Sequence, residues 1–379
     1  MIFAQILVFV TLLFSATIAA CYEPLHDYSG DTFMDGWDFY GKWDNLTLGN
    51  VTYLTAEAAA EQKLVYVNDA GNVILRVDNF TDVKDGGLRN SIRLTSSELY
   101  DFGSLWIIDA YHLPYGCSVW PAFWSFGPHW PYDGEIDIIE AINTMPNNQM
   151  ALHTTEGCYH DTPPDQTGFS IDNDCGTASG CTVGESAPNS YESGFAAAGG
   201  GVFATQFDVT GIYIWFWSRP NVPASITNAT ANSSIDISSW GPPSASYPNG
   251  TSCDISKYYT AQQLVFDITL CGDWAGVPGI YDSTCYNAGP THDCYLDNVV
   301  GNGSNYDEAY FEVAYVRTYT TGVAVPSSTS AAATAVQTHQ ATQTQTQAQK
   351  SDARSARMGL RGSTFFSILA ALLAATVLC

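Results

Sequence analysis

Three carboxylates lie within six consecutive positions of this chain: Glu135, Asp137 and Glu140 in the segment GEIDIIE. Two carboxyl groups that face each other can cleave a glycosidic bond, because one attacks the anomeric carbon while the other protonates the leaving oxygen. In a regular strand side chains alternate between faces, so Glu135 and Asp137 share a face and Glu140 points away. This chemistry therefore requires an irregularity between Asp137 and Glu140.

The flanking residues indicate what that irregularity is. Pro131 and Gly134 predict a turn that is followed by a strand. One β-bulge between Asp137 and Glu140 would absorb the extra residue and turn all three acids onto one face. Ile136 and a neighbouring isoleucine would then face the core. We predict Glu135 as nucleophile, Asp137 as the group that orients and tunes it, and Glu140 as acid/base. Taken alone, the six residues also fit a solvated acidic edge or a calcium site.

Aromatic residues are concentrated just before the acids, in CSVWPAFWSFGPHWP. Aromatic rings stack on the apolar faces of sugar rings, as they do in other recognition sites. We predict that Trp130 and Trp120 bind substrate, although Trp120 also fits a core position, and that Trp124 belongs to the core.

The composition excludes some classes of ligand. The net charge is −25 and only 13 of 379 residues are Lys or Arg, which argues against nucleic-acid binding. Aromatic residues make up 13%, which suits a large core and a neutral, ring-shaped ligand. No nucleotide loop, metal triad or Ser-His-Asp array stands out, so we expect no cofactor and no catalytic metal.

Short alternating runs recur between turn signals, as in NVILRVDNF, SLWIIDAYH, FEVAYVRTY and GVFATQFDVTGIYIWFWSR. The first places Val73, Leu75 and Val77 on one face, and the last reads as two strands around a Thr-Gly turn. The one helical candidate, 55–63, is short. The pattern predicts an all-β protein, a sandwich or jelly roll of antiparallel sheets.

The two ends of the chain resemble targeting segments. Residues 1–20 read as a secretory signal peptide, and 351–379 as a GPI-anchor signal that ends in the apolar run Thr364–Cys379. Ser351 is the preferred attachment site and Ser355 the second choice, while a transmembrane tail anchor is the alternative. Residues 321–350 are rich in Ser, Thr, Ala and Gln and predict a disordered stalk. The globular domain is then 21–320.

Cysteines and glycosylation sequons agree with secretion. Eight cysteines of the predicted domain, apart from Cys21 at the signal boundary, could form four disulfides, and the sequence alone assigns none of the 105 possible pairings. Seven N-x-S/T sequons predict surface loops at Asn45, Asn50, Asn79, Asn228, Asn232, Asn249 and Asn302.

The run WPAFWSFGPHWPYDGEIDIIEAIN, followed by ALHTT, resembles glycoside hydrolase family 16, and within it the fungal endo-1,3(4)-β-glucanases. The likeness continues through DITLCGDWAG to YVRTY and covers essentially all of 22–320. It implies a β-jelly-roll with a concave, open cleft and retaining hydrolysis inside β-glucan chains. It assigns Glu135 as nucleophile and Glu140 as acid/base, and implies an auxiliary role for His153. Further residues resemble positions that contact sugar: Asn143, Arg93 and Trp274.

Three functions stay open at this stage. The first is an endo-β-glucanase at the cell surface or wall that acts on β-1,3 or mixed-linkage glucan. The second is a transglycosylase that passes the glycosyl intermediate to another glucan, since the chemistry up to that intermediate is identical. The third is a non-catalytic glucan-binding protein of the wall. Each implies β-glucan as a partner, and the anchor implies contact with a membrane through the GPI lipid. We expect a monomer that binds no nucleic acid.

Overall fold

The computed structural model describes residues 21–322. The predicted signal peptide, the stalk beyond residue 322 and the anchor signal with Ser351 lie outside the described residues. The strands are β1 Cys21–Ser29, β2 Trp37–Phe39, β3 Val51–Tyr53, β4 Val65–Val67, β5 Val73–Arg76, β6 Arg89–Ser91, β7 Arg93–Ser96, β8 Ser104–His112, β9 Val119–Phe126, β10 Glu135–Glu140, β11 Gln149–His153, β12 Phe169–Ser170, β13 Cys181–Gly184, β14 Gly201–Asp208, β15 Gly211–Ser218, β16 Ile235–Asp236, β17 Ala245–Pro248, β18 Gln263–Leu270 and β19 Tyr310–Thr320.

Helices are short in this part of the chain. They are α1 Ala56–Glu61, α2 Glu192–Ala197, α3 Ala224–Thr227, α4 Ile255–Tyr258, α5 Gly272–Ala275 and α6 Pro278–Cys285. The predicted helix at 55–63 is confirmed as α1, which begins after Thr55, whose hydroxyl accepts a hydrogen bond from the backbone N–H of Ala58. Within residues 21–322, no helix has the length and apolar character needed to cross a bilayer.

Two antiparallel sheets contain nearly all the strands, as predicted. The eight-stranded sheet, here called the cleft sheet, has the order β12-β13-β11-β10-β9-β18-β7-β2. The nine-stranded sheet, here called the outer sheet, has the order β16-β1-β19-β8-β14-β15-β17, with β5 and β4 added beside β19. The Thr-Gly turn joins β14 to β15 in an antiparallel hairpin, as expected. A small parallel pair, β3 with β6, was not predicted.

The main core contains apolar side chains from both sheets. Ile136 from β10 of the cleft sheet is buried in the same cluster as Val73 and Leu75 from β5 of the outer sheet. Burying each such side chain stabilises the fold by about 1.5–3 kcal/mol. A second apolar cluster joins β14 and β15 to the segment 222–240, with Trp215 and Trp240 in contact edge to face. The main core, which contains Ile136, thus packs behind the central strands of the cleft sheet.

Four disulfides form among residues 21–322, as the cysteine count predicted, and the structure supplies their pairing: Cys117–Cys285, Cys158–Cys253, Cys175–Cys181 and Cys271–Cys294. All seven sequon asparagines lie outside strands and helices, and none of them is buried. The expectation of surface loops at these positions is confirmed.

Candidate active site

The β-bulge predicted for β10 is present. Along β9, Asp137 pairs with Trp124 and Ile139 pairs with Phe123, so Ile138 is the extra residue. The ladder with β11 shifts at the same place, between Asp137 and Glu140. A bulge rotates the residues that follow it, because two residues of one strand oppose one residue of its partner.

The bulge brings the three acids onto one surface. Glu135, Asp137 and Glu140 all line one cleft, while Ile136, Ile138 and Ile139 are buried in the core behind them. The cleft has a volume of about 740 Å³. The cleft therefore contains the three carboxyl groups on one face, as the sequence predicted.

Cleft-lining residues lie on both sides of the acid-bearing strand. On one side, across β9, are Asp267 of β18 and Arg93 of β7; on the other, across β11, are Thr182 of β13 and Ser179 of the preceding loop. The Cys175–Cys181 disulfide closes that loop. A chain molecule lying in the cleft would therefore cross the acids with units on either side of them.

Each glutamate accepts a hydrogen bond from an indole. The Trp130 Nε1–H donates to Glu135 Oε2, and the Trp120 Nε1–H donates to Glu140 Oε1 at 3.0 Å. Trp130 is half exposed and Trp120 is nearly buried, and both rings line the cleft. The structure thus places both predicted substrate-binding tryptophans beside the acids.

Asp137 and His153 form an ion pair below the glutamates. The His153 Nε2 atom lies 3.3 Å from Asp137 Oδ2, and the Asp137 carboxylate is almost fully buried. His153 sits opposite Glu135 in the register of β10 with β11. Single ligand atoms of Glu135, Asp137 and His153 all lie within 4.8 Å of one another. The structure therefore places the predicted auxiliary residue beside Asp137 and Glu135.

The electrostatics of this cluster favour bound protons. Burial alone would lower the pKa of His153, but its close contact with Asp137 and the charges of all three acids raise that pKa to about 10. Burial, followed by the Asp137 charge, raises the pKa of Glu135 and of Glu140 to about 8. Together the three acids stabilise the imidazolium of His153.

Arg93 and Trp274 line the cleft at some distance from the acids. The Arg93 guanidinium carbon lies 4.9 Å from the ring centroid of Tyr40 and 5.4 Å from that of Trp124. Trp274 contacts Trp120 edge to face, with the centroids 5.3 Å apart. Both residues can meet a ligand, and their predicted sugar contacts stay predictions.

Trp124 is buried in an apolar cluster with Ala122 and Val265, as predicted; its ring also lines the cleft, and its Nε1–H donates to Asp267 at 3.1 Å. Asn143 needs correction. Asn143 was predicted to contact sugar, but it is buried and does not line the cleft. Its Oδ1 accepts from the Ser118 N–H at 2.7 Å, and its Nδ2 donates to the Ala275 carbonyl at 3.1 Å. Asn143 therefore holds α5, the helix that carries Trp274.

Sequence reasoning missed Asp267 and Asn148. Asp267 lines the cleft beside Trp124, and burial raises its pKa to about 7. Asn148 is buried directly beneath the bulge and is hydrogen-bonded to β10 on both sides of it. No pattern in the sequence marks either residue, because their partners become neighbours only when the strands pair.

A family model matches most of the chain. Residues 37–319 match the model described as XgeA-like, catalytic GH16 domain. The chain is 38% identical over 308 residues to a probable glycosidase of Schizosaccharomyces pombe, which covers 79% of this chain and 70% of that protein. It is 36% identical over 316 residues to endo-1,3(4)-beta-glucanase xgeA of Emericella nidulans, with 81% of this chain and 49% of that protein covered. The chain spans about half the length of the fungal glucanases it matches.

Two solved structures are similar in fold and sequence. Laminarinase 16A from Phanerochaete chrysosporium, solved with β-glucans in both donor and acceptor sites, superposes with a TM-score of 0.73 at 34% identity and covers 79% of this chain and 99% of that one. An elongating GH family 16 beta-1,3-glucosyltransferase superposes with a TM-score of 0.72 at 39% identity and covers 79% of this chain and 100% of that one.

Proposed function

The chain belongs to glycoside hydrolase family 16, and from this premise we propose that it is a retaining endo-β-glucanase. Its substrates are β-1,3-glucan and mixed-linkage β-1,3/1,4-glucan. The observation that carries the proposal is the bulge of β10, which places Glu135 and Glu140 on one cleft while the isoleucines between them stay in the core.

The two glutamates take different roles in the reaction. Glu135 attacks the anomeric carbon as a carboxylate, while the protonated Glu140 gives its proton to the glycosidic oxygen as that bond breaks. Water then attacks the glycosyl-enzyme and gives a proton back to Glu140, which releases Glu135. His153 lies within 4.8 Å of Glu135, and the Trp130 N–H donates to the same carboxyl group. These contacts favour the charged form of Glu135, but His153 and the Trp120 N–H act on Glu140 in the same direction. The proton is assigned to Glu140 because of the resemblance of the motif to family 16.

The position of the acids supports cleavage within a chain rather than at its end. Arg93 and Asp267 line the cleft on one side of β10, and Thr182 and Ser179 line it on the other. Glucose units on both sides of the scissile bond would therefore find protein surface. The structural relative that holds β-glucans in donor and acceptor sites supports the same reading.

Digestion of laminarin, barley glucan and lichenan side by side tests this proposal. Product sizing and the anomeric configuration of the first products are the measurements. We expect internal oligosaccharides with the β configuration retained. Release of single glucose units only, or inverted products, would contradict the proposal.

A transglycosylase is the second candidate, because an elongating β-1,3-glucosyltransferase is 39% identical to this chain. In that reaction a glucan hydroxyl replaces water in the second step, and Glu140 accepts the proton of that hydroxyl. Incubation with laminarioligosaccharides at high concentration separates the two functions. Products longer than the starting material indicate transfer, whereas shorter products alone indicate hydrolysis.

For location, we propose a secreted monomer that a GPI lipid attached at Ser351 holds on the outer face of the cell membrane or wall. Four disulfides and seven accessible sequons support passage through an oxidising, glycosylating compartment. Release of the full chain from intact cells by a phosphatidylinositol-specific phospholipase tests the anchor. Material that the lipase leaves on the membrane would contradict it. The sedimentation mass of the released protein tests the monomer.

A further inference from the structure

The bulge that turns Glu140 into the cleft leaves backbone groups of β10 without regular strand partners. Asn148, which directly precedes β11, supplies hydrogen-bond partners for these backbone groups. Its Nδ2–H donates to the Ile138 carbonyl at 2.9 Å, and its Oδ1 accepts from the Glu140 N–H at 3.0 Å. These two bonds bracket the bulge, since Ile138 is its extra residue and Glu140 is the residue it reorients.

Asn148 is itself held from other parts of the chain. It is almost fully buried, its backbone N–H donates to Ser190 Oγ at 3.0 Å, and its carbonyl accepts from the Glu185 N–H at 2.9 Å. Ser190 and Glu185 follow β13 and do not line the cleft. The side chain of Asn148 therefore reaches β10 from a position fixed by hydrogen bonds on both sides of its own backbone.

We infer that Asn148 is a positioning residue for the acid/base. By fixing the backbone at Ile138 and Glu140, it determines where the Glu140 carboxyl group meets the glycosidic oxygen. Asn148 does not line the cleft, so its effect reaches the substrate only through Glu140. The inference rests on the proposed role of Glu140, and the experiment is designed to separate the two.

The test uses substrates that differ in their need for a proton. A laminarioligosaccharide has a poor leaving group and needs the acid, whereas dinitrophenolate leaves a dinitrophenyl β-laminaribioside without protonation. General acid catalysis contributes about 10²–10⁴-fold. For Asn148→Ala we expect kcat/KM to fall about 10–100-fold on the oligosaccharide and less than 3-fold on the dinitrophenyl glycoside. A loss of equal size on both substrates, or on neither, would overturn the inference.

Asn147→Ala is the matched control. The neighbouring Asn147 donates from Nδ2 to the Glu185 carbonyl at 2.9 Å, so this variant removes a hydrogen bond from the same segment without touching β10. It should leave both kcat/KM values unchanged, and the same selective loss in Asn147→Ala would refute a specific role for Asn148. Should Asn148→Ala not fold, Ser190→Ala loosens the same residue more gently and should show a smaller loss with the same selectivity.

Glu140→Ala separates this inference from the proposed function. It should show the strongest dependence on the leaving group, and added azide should accelerate the second step by attacking the glycosyl-enzyme. If Glu140→Ala affects both substrates equally, Glu140 is not the acid/base, and the proposed role falls together with the inference. If Glu140→Ala is selective and Asn148→Ala is not, only the inference fails.

Discussion

The acidic side chains of the two sheets differ in whether they are paired with cationic side chains. In the outer sheet, Asp109 receives two hydrogen bonds from the guanidinium of Arg219, at 2.8 and 2.6 Å, and Asp27 receives one from Arg317 at 2.6 Å. In the cleft sheet, three acids on one strand have one cationic neighbour among residues 21–322, His153. The outer sheet thus matches each of these acids with an arginine, and the cleft sheet leaves an excess of acid.

The difference shows how similar residues serve stability in one region and chemistry in another. Burial alone would lower the pKa of Arg219, but the bidentate Asp109 raises it, so this pair stays charged. Burial and the Asp137 charge instead raise the pKa values of the unmatched glutamates to about 8, so the cluster can hold a proton near neutral pH. An acid catalyst must carry a proton at its working pH, and the raised pKa values allow this. The same raised pKa values make the fold less stable near neutral pH.

The largest effect on kcat should come from removing the charge of the nucleophile, Glu135. We expect Glu135→Gln to lower kcat on laminarin on the order of 10⁴-fold, because an amide cannot attack the anomeric carbon. Asp109→Asn removes a carboxylate from the outer sheet instead and should leave kcat unchanged. Initial rates of reducing-end release measure both. Full activity in Glu135→Gln would contradict the distinction between reactive acids in the cleft sheet and stabilising acids in the outer sheet.

The next effect concerns the charge between the glutamates. Asp137→Asn removes the repulsion that helps to raise the pKa values of Glu135 and Glu140, so both should fall. The acid Glu140 then loses its proton at lower pH. We expect the alkaline limb of the kcat/KM profile to move from near pH 8 toward lower pH by about one unit, with a 10–100-fold loss of kcat. An unchanged alkaline limb would contradict the assigned cause of the raised values.

In the outer sheet, breaking a pair should cost stability without affecting catalysis. Arg219→Ala leaves Asp109 largely buried without its partner. We expect a loss of about 2 kcal/mol in the free energy of unfolding, smaller than for a fully buried pair because the arginine is partly exposed. Urea denaturation measures the loss, and kcat on laminarin should stay within a factor of two. Unchanged stability would show that this ion pair does not support the sheet.

The last expected effect is a gain in stability. The carboxyl of Glu140 keeps its proton to about pH 8 in the folded protein but only to about pH 4.5 in the unfolded chain. The folded state therefore loses stability as pH rises through this window. Glu140→Gln removes that loss, so we expect added stability at pH 8 that shrinks to none near pH 4. Thermal unfolding at the two pH values gives the answer, and a gain of equal size at both would point to packing instead.

Local patterns predicted much of the fold and the centre of the site. Alternation predicted β5, β8 and the β14–β15 hairpin, and the spacing from Asp137 to Glu140 predicted the bulge because side chains in a strand alternate. Trp124 is buried as predicted, yet its ring also lines the cleft, which the pattern of residues around it did not indicate. Asn143 was predicted to contact sugar because it resembles a sugar-contacting position of the family, but its partners are Ser118 and Ala275, which are distant in sequence.

The sequence by itself determined the type of chemistry, since residue type and spacing along one strand are local properties. Only the tertiary structure decided how protons are held there. Burial, the pairing of His153 with Asp137 and the indole donors of Trp120 and Trp130 arise when separate segments meet. The structure likewise selected one disulfide pairing and brought Asn148 beneath the bulge. Electrostatic and hydrogen-bond free energies depend on distances through space, and these distances do not follow from positions along the chain.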